Sequence, residues 1–126
     1  MLLNINYNFM RNFLTLEIWK RSHLLTLKIY KITKSFPKEE MFGLISQMRR
    51  SASSIPTNIA EGCGRNTNPQ FVHFLQIATG SCSVLQYQIL LCKDLYYFTE
   101  EEFKELNKEV NELRKMIFAY LSKLSS

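Results

Sequence analysis

Residues 99–124 read TEEEFKELNKEVNELRKMIFAYLSKL, and this stretch decides the fold class. Its apolar residues recur at helical spacing, which places them on one face of an α-helix and leaves the charged residues on the other face. They are Phe103, Leu106, Val110, Leu113, Ile117, Tyr120 and Leu124. Thr99 and Glu102 have the spacing of a capping box, so the helix is predicted to open at Thr99.

The segment before it carries a second stripe of the same kind. Asn68 and Pro69 predict a helix start, because an N-cap residue is followed by a proline at the first helical position. The apolar residues that follow at helical spacing are Phe71, Leu75, Ala78, Cys82, Leu85, Ile89, Cys92 and Tyr96. Two earlier helices are predicted at about residues 14–34 and 39–61, and the later one has a stripe of Met41, Ile45, Met48, Ala52, Ile55 and Ile59.

These stripes predict how the helices pack together. Helices with seams near 3.5 residues per repeat pack with nearly parallel axes, and short links make sequence neighbours antiparallel. The predicted fold is therefore all-α, an antiparallel up-and-down four-helix bundle formed by residues 13–126, with residues 1–12 as a loose N-terminal extension. Pro56 lies inside the second helix, where it removes one hydrogen bond and crowds the carbonyl of Ala52, so we expect a kink near it.

The formal net charge is +5, and it is unevenly spread along the chain. Residues 1–93 contain 11 Lys and Arg against 4 Asp and Glu, a balance of +7, whereas residues 94–126 contain 5 against 7, a balance of −2. A basic body favours polyanionic partners such as RNA or DNA. Two other interpretations stay open: a basic isoelectric point without function, and contact between an acidic helix and a basic helix of two subunits.

The cysteines, Cys63, Cys82 and Cys92, form no disulfide or metal-binding pattern, since their number is odd and no CxxC pair is present. Cys82 and Cys92 lie on an apolar stripe and are predicted to be buried, whereas Cys63 stands between two glycines and is predicted to be an exposed thiol in a loop. The apolar runs are too short to span a bilayer. The start MLLNINYNFMRN lacks the features of a signal peptide, and residues 1–9 are expected to be an upstream start or a loose tail. We therefore expect a cytoplasmic protein without a membrane, metal or cofactor partner.

One acidic motif, Glu101-Glu102-x-x-Glu105, resembles the EExxE element of all-α nucleotide pyrophosphohydrolases, which hold Mg²⁺ with carboxylates from two helices. That element requires an acidic pair on a second helix, and Asp94 is the only acid in the third predicted helix. Carboxylates in a first helical turn also stabilise the helix dipole, which explains the motif without a metal. The sequence thus predicts no catalytic residue, no enzyme activity and no small-molecule substrate, with an Mg²⁺-dependent nucleotide hydrolase as an alternative.

Residues 42–65, FGLISQMRRSASSIPTNIAEGCGR, resemble the signature of the four-helix bundle proteins encoded in 23S rRNA intervening sequences. The flanking stretches agree in order, so the resemblance covers about residues 13–124. It implies a bundle that assembles into a homo-oligomeric ring, with a pentamer as the expected size. It also implies kinship with the accessory proteins of diversity-generating retroelements, which are basic pentamers thought to bind nucleic acid. The chain departs from the family at Val84 and Gln86, where acidic residues are common, and at Cys63, where an aromatic residue is common.

Arg49 and Arg50 are the first candidates for phosphate contacts, although adjacent helical residues point about 100° apart and do not both face one partner squarely. Arg65 adds a positive charge after the second helix, and Lys20 and Arg21 are further candidates for nucleic-acid binding. The alternative is a structural role, in which Arg49 or Arg50 forms a salt bridge within the subunit or to a neighbouring subunit.

Asn58, Glu61 and Arg65 form a second polar set, because Asn58 and Glu61 are three residues apart on one helix face. They are predicted either to form a recognition surface at a subunit boundary or to satisfy backbone groups freed by Pro56 and hold Arg65. Two functions stay open at this point. One is a ring that binds RNA or DNA, and the other is a structural or protein-interaction scaffold without a nucleic-acid role.

Overall fold

The computed structural model describes residues 11–125, which form four α-helices and no strand. The helices are α1 (Glu17–Thr33), α2 (Ser46–Cys63), α3 (Asn68–Asp94) and α4 (Glu100–Ser125). A short 3-10 turn at Phe13–Thr15 precedes α1, and a 3-10 turn at Lys38–Glu40 followed by a π-helical turn at Met41–Ile45 connects α1 to α2. The prediction of an all-α fold with four helices is confirmed.

Each helix contacts two others, α1 and α3 each lying against both α2 and α4. Hydrogen bonds give the direction of neighbouring helices. Thr26 on α1 contacts Ala52 on α2, while the later Thr33 contacts the earlier Arg49. These pairings run in opposite directions and fit the predicted antiparallel bundle.

The predicted stripes meet in one core. Every member of the α3 stripe from Phe71 to Cys92 is fully buried, and the central α4 residues Leu106, Val110, Leu113 and Ile117 are at most 1% exposed. Burying one such aliphatic side chain contributes about 1.5–3 kcal/mol. The apolar periodicity therefore identified the faces that hold the helices together.

The stripe predictions are wrong at two ends. Tyr96 is 92% exposed and has a φ of 62°, because α3 ends at Asp94 and the chain turns there. Met41 is 52% exposed, because the backbone leaves helical values at Gly43 (φ −108°, ψ −109°) and separates Met41 from α2. In both places the apolar residue lies outside the regular α-helix: Tyr96 follows the end of α3, and Met41 precedes the start of α2.

The starts of α3 and α4 agree with the sequence to within one residue, whereas α1 starts at Glu17 and α2 at Ser46, later than the predicted starts at about 14 and 39. The N-cap of α3 is Thr67 and not Asn68, since the Thr67 Oγ1 accepts a hydrogen bond from the Gln70 amide at 3.3 Å. The capping box of α4 is confirmed: the Thr99 amide donates to Glu102 Oε1 at 2.9 Å, and the Glu102 amide donates to Thr99 Oγ1 at 3.1 Å.

Pro56 lies inside α2, and the helix continues on both sides of it. Because proline has no N–H, the carbonyl of Ala52 receives no helical hydrogen bond. The buried Thr26 Oγ1 of α1 lies 3.0 Å from that carbonyl and 2.8 Å from the Ser22 carbonyl of its own helix, so its single proton is shared between the two acceptors. The kink near Pro56 stays a prediction, while the freed backbone group has a partner from the neighbouring helix.

The end of the predicted N-terminal extension contacts the bundle. The Arg11 amide donates to the Cys63 carbonyl at 3.2 Å, and its guanidinium donates to Asn68 Oδ1 at 2.7 Å and lies 4.1 Å from the Phe71 ring centre. Residues 1–10 of that extension lie outside the described residues, so the domain boundary stays a prediction. Within residues 11–125, no helix has the length and apolar content needed to cross a membrane.

The prediction of an exposed Cys63 is wrong. Helix α2 extends to Cys63, one turn beyond the buried Ile59, so the thiol falls on the core face and is 1% exposed. Cys82 and Cys92 are fully buried, as predicted. Burial raises the pKa of Cys63 to about 11 and the pKa values of Cys82 and Cys92 to about 12, which makes all of these thiols weak nucleophiles.

We expect Thr26→Val to lower the free energy of unfolding by about 1–3 kcal/mol, because it leaves the Ala52 carbonyl buried without a donor. In a Pro56→Ala background the same change is expected to have a smaller effect, since an alanine amide at position 56 can donate to that carbonyl. Urea unfolding of the four variants at one protein concentration measures the difference. An equal effect of Thr26→Val in both backgrounds would contradict this account of the hydrogen bond.

Candidate functional site

The basic residues singled out in the sequence occupy three separate places. Arg49 and Arg50 lie near the start of α2, and Arg65 follows its end. These two places are more than about 20 Å apart along the axis, given the rise of an α-helix. Lys20 and Arg21 lie in the first turns of α1. The structure thus brings Arg49 and Arg50 together and separates the other candidates from them.

Arg49 binds the end of α1. Its Nε donates to the Thr33 hydroxyl at 3.0 Å, its Nη2 donates to the Tyr30 carbonyl at 3.2 Å, and its guanidinium lies 4.8 Å from the Tyr30 ring centre. Carbonyls in a last helical turn lack helical donors and carry partial negative charge, which a guanidinium stabilises. Arg49 therefore makes structural contacts within the subunit, to a hydroxyl and a backbone carbonyl. A salt bridge from Arg49 or Arg50 to a neighbouring subunit stays a prediction.

Arg50 is exposed, and its Nη2 donates to the Ser46 hydroxyl at 3.1 Å. Among the described residues, neither Arg50 nor Arg49 forms an ion pair with a carboxylate. The positive charge of this arginine pair is consequently not neutralised by an acidic side chain of the described chain.

The two arginines line a cleft of about 460 Å³ between the end of α1 and the start of α2. The other lining residues are Tyr30, Met41, Phe42, Ile45, Ser46 and Ser53, and none of them is acidic. Phe42 is 93% exposed. The cleft combines two guanidinium groups, two aromatic rings and two serine hydroxyls, a set that suits an anionic ligand with an aromatic part.

Sequence reasoning missed Tyr30 and Phe42 as members of this site. Phe42 lies outside the Met41–Ile45–Met48 stripe and directly precedes Gly43, whose non-helical backbone turns the segment away from α2. A large apolar residue that is off the buried face and next to a glycine was the available signal. Tyr30 belongs to the cleft because Arg49 reaches it from another helix, which local spacing does not reveal.

Lys20 and Arg21 have acidic neighbours. Lys20 Nζ lies 3.5 Å from a Glu17 carboxylate oxygen, and Arg21 Nη2 lies 3.2 Å from Glu112 Oε2 on α4. These pairs are exposed and contribute little to stability, but they offset the two positive charges. They make this end of α1 a poorer place for phosphate contacts than the arginine cleft.

The predicted polar set of Asn58, Glu61 and Arg65 divides into two parts. Glu61 lies 3.5 Å from Arg65, whose guanidinium covers the Phe74 ring at 4.7 Å, so the expected hold on Arg65 is present. Asn58 instead donates to the Ser54 carbonyl at 2.7 Å and the Ser54 hydroxyl at 2.9 Å. The carbonyl freed by Pro56 is bonded by Thr26 and by neither Asn58 nor Glu61.

The acidic motif at the start of α4 is used for capping and for packing against α1. Glu102 caps the helix, and Glu105 accepts a hydrogen bond from Lys28 Nζ at 2.8 Å, which lowers the pKa of this carboxylate. Lys28 also donates to Glu109, and both bonds raise the pKa of its ammonium group. Within the part of the chain that the structure describes, no three His, Cys, Asp or Glu side chains come together around a possible metal position.

The outer face of α3 is a second unusual surface. Residues 70–92 contain no Lys, Arg, Asp or Glu, although about half of that helix faces solvent. Its exposed apolar side chains are between 39% and 61% accessible: Ile77, Val84, Tyr87 and Leu90. One of the sequence's departures from the family, Val84, lies on this face, whereas Gln86 donates to Asn107 of α4 at 3.2 Å.

Gly80 lies in the middle of this outer face. Apart from its two neighbours and the backbone of its own helix, no atom of the described residues lies within 4 Å of a methyl group added there, so their packing does not require a glycine. Glycine in a helix interior is less favourable than alanine by about 1 kcal/mol. Beside it a groove between α2 and α3 has small residues at its base, where Ser54 and Ser81 hydroxyls lie 2.9 Å apart. The face is thus open to close approach by another backbone.

Comparisons with family models and with solved structures both give matches. The model of a family described as 23S rRNA-intervening sequence protein matches residues 14–119. A solved structure of a protein with unknown function, from the S23 ribosomal protein family of Bacteroides thetaiotaomicron, is 24% identical. Its alignment covers 83% of this chain and 95% of that chain, with a TM-score of 0.78, and at this identity the likeness shows the fold alone. Among curated proteins, none matches.

We expect Arg49→Ala to lower the free energy of unfolding by about 1–2 kcal/mol, because α1 loses a charged hydrogen-bond donor at its end. The matched control is Arg50→Ala, which removes the same charge one residue along and is expected to change stability by less than about 0.5 kcal/mol. Urea unfolding of both variants tests the difference. Equal effects of the two substitutions would show that Arg49 has no special structural role.

Proposed function

Since the chain belongs to the family of 23S rRNA-intervening sequence proteins, we propose that it is a non-enzymatic binding module, a homo-oligomeric ring of four-helix subunits whose basic surface binds RNA or DNA. A pentamer is the expected ring size. The observation that carries the proposal is the arginine cleft, where Arg49 and Arg50 line a surface without any acidic residue. Clusters of arginine without carboxylates bind phosphate groups through charge-assisted hydrogen bonds.

The charge distribution supports the same function. The +7 balance of residues 1–93 is partly offset where α1 meets α4, through Lys28 with Glu105 and Glu109 and through Arg21 with Glu112. Those contacts offset the positive charge of α1 where it faces α4. The positive charge of Arg49 and Arg50, where α1 meets α2, has no such carboxylate partner among the described residues. Repeating one modest basic site around a ring increases the overall affinity without a strong single site.

Self-assembly is supported by the outer face of α3. A solvated face on a protein of this charge would be expected to carry Lys or Glu, yet residues 70–92 have none. Uncharged surfaces with apolar side chains are typical of contacts between subunits. Gly80 at its centre gives room for a helix of a second copy to approach.

Binding dominated by phosphate contacts is expected to weaken steeply with salt, so log K falls linearly with log salt concentration. Arg50→Ala is expected to weaken binding uniformly across sequences and to reduce that slope by about 1 per bound subunit. Lys104→Ala is the matched control, because it removes a positive charge from the acidic α4. Fluorescence anisotropy with labelled RNA and DNA at several salt concentrations measures both. Affinity that is insensitive to salt, or absent at low salt, would contradict the proposal.

Replacing Gly80 by Leu is expected to break the assembly, since the added side chain occupies the space that a second copy would fill. Helix content and monomer folding should be retained, because the position is open within the subunit. Ala119→Leu on the exposed side of α4 is the control. Light scattering measures the mass of each variant. An unchanged oligomer mass for Gly80→Leu would exclude this face from the subunit contact.

The second candidate function is a scaffold for protein interactions without a nucleic-acid role. The uncharged α3 face favours it, because residues 70–92 contain no charged side chain that would recognise a polyanion, although Arg50 of α2 lines the groove beside this face. Replacing Arg49 and Arg50 together by Ala separates the two functions. A retained oligomer that no longer binds nucleic acid favours the binding module, and loss of the oligomer without a specific effect on nucleic acid favours the scaffold.

A further inference from the structure

We infer that the arginine cleft binds an unpaired base of single-stranded nucleic acid, with Phe42 and Tyr30 as stacking surfaces and Arg50 as the phosphate contact. The inference rests on the proposed nucleic-acid function and names the form of nucleic acid that the site takes. It follows from the placement of two aromatic rings beside two guanidinium groups in a cleft with no acidic side chain.

Phe42 is exposed because the surrounding backbone holds it there. Glu40 caps the turn through Oε1, which accepts from the Leu44 amide at 3.4 Å, and its Oε2 accepts from the Tyr97 hydroxyl at 2.9 Å. A side chain at Gly43 would lie 3.0 Å from that Glu40 oxygen. The segment is therefore fixed by contacts that direct its phenylalanine outward, where the ring is 93% accessible. A ring that its backbone directs outward, and that is 93% accessible, is available for stacking.

Tyr30 on α1 and Arg49 on α2 provide further lining of the cleft. The Arg49 guanidinium covers one face of the Tyr30 ring at 4.8 Å and is held in place by Thr33 and the Tyr30 carbonyl. Bases stack on aromatic rings and on guanidinium planes alike, and such stacking tolerates many sequences because every base has a π face. Arg49 thus contributes a flat cationic surface, while the more accessible Arg50 is available for a phosphate.

The size and charge of the cleft favour a single strand over other occupants. A volume of about 460 Å³ is in the range of small-ligand sites and suits one nucleotide, whereas a duplex keeps its bases inside the stack and out of reach. A neutral or basic peptide would leave the charge of Arg49 and Arg50 unbalanced, and a second copy of this chain would have to bring the acidic start of α4 to this cleft. The absence of a carboxylate in the lining selects an anionic ligand.

The test compares a labelled oligouridylate of about 8 nucleotides with a duplex of equal length, using the full-length protein and fluorescence anisotropy. Phe42→Ala is expected to weaken binding of the single strand about 5- to 150-fold, with little effect on the duplex and an unchanged salt slope. Phe42→Trp should retain the affinity. Phe118→Ala is the matched control, because Phe118 is an exposed aromatic residue on α4 and lies outside this cleft. Photocrosslinking of 5-iodouridine in the oligonucleotide should label the peptide that contains Phe42.

The outcomes separate this inference from the function on which it rests. Salt-dependent binding that Phe42→Ala does not weaken, or equal affinity for single strand and duplex, would overturn the inference and leave the proposed function standing. No binding of either nucleic acid by the wild-type protein at low salt would overturn both. A Phe42→Ala variant that loses oligomer mass would show that the cleft contacts protein, and this too would overturn the inference.

Discussion

The shared core holds every other feature of this subunit in place, because four amphipathic helices bury their apolar faces only against one another. The α3 stripe from Phe71 to Cys92 is the centre of it, since α3 lies against both α2 and α4. Small residues bring α2 close to α3: Ser51 donates to Gln88 at 2.6 Å, and the Ser54 and Ser81 hydroxyls meet. With the inner face fully used for packing, the outer face of α3 and the ends of α2 are left for other partners.

Helix α2 carries different roles along its length. At its start, Arg49 joins it to the end of α1 and, with Arg50, forms the wall of the cleft. In its middle, Pro56 and Thr26 define the contact with α1. At its end, Cys63 closes the core and accepts a hydrogen bond from the Arg11 amide. The family signature spans this helix, and the structure gives a packing or site role to many of its residues.

The four helices were predictable because each has a long, regular apolar period, and such a signal depends only on neighbouring residues along the chain. The arginine cleft was predictable only in part. Arg49 and Arg50 stood out by sequence, but the partners of Arg49, Thr33 and Tyr30, are 16 and 19 residues away and come from another helix. The exposure of Phe42 depends on the backbone at Gly43, and the burial of Cys63 depends on how far α2 extends. These local departures from regular structure are invisible to periodicity.

The contact between Thr26 and the Ala52 carbonyl, which Pro56 leaves without a helical partner, has a consequence for the register of α1 against α2. Apolar stripes that repeat every seven residues are nearly equivalent after a shift of one repeat. Hydrophobic packing alone therefore leaves several registers of α1 against α2 close in energy. A buried acceptor at one fixed place on α2 requires a donor directly opposite. A register shift of one turn would move Thr26 away and leave the Ala52 carbonyl buried without a hydrogen bond. Pro56 therefore sets the register of the two helices. It removes one hydrogen bond inside α2, and the unbonded carbonyl fixes the position that α1 takes along α2.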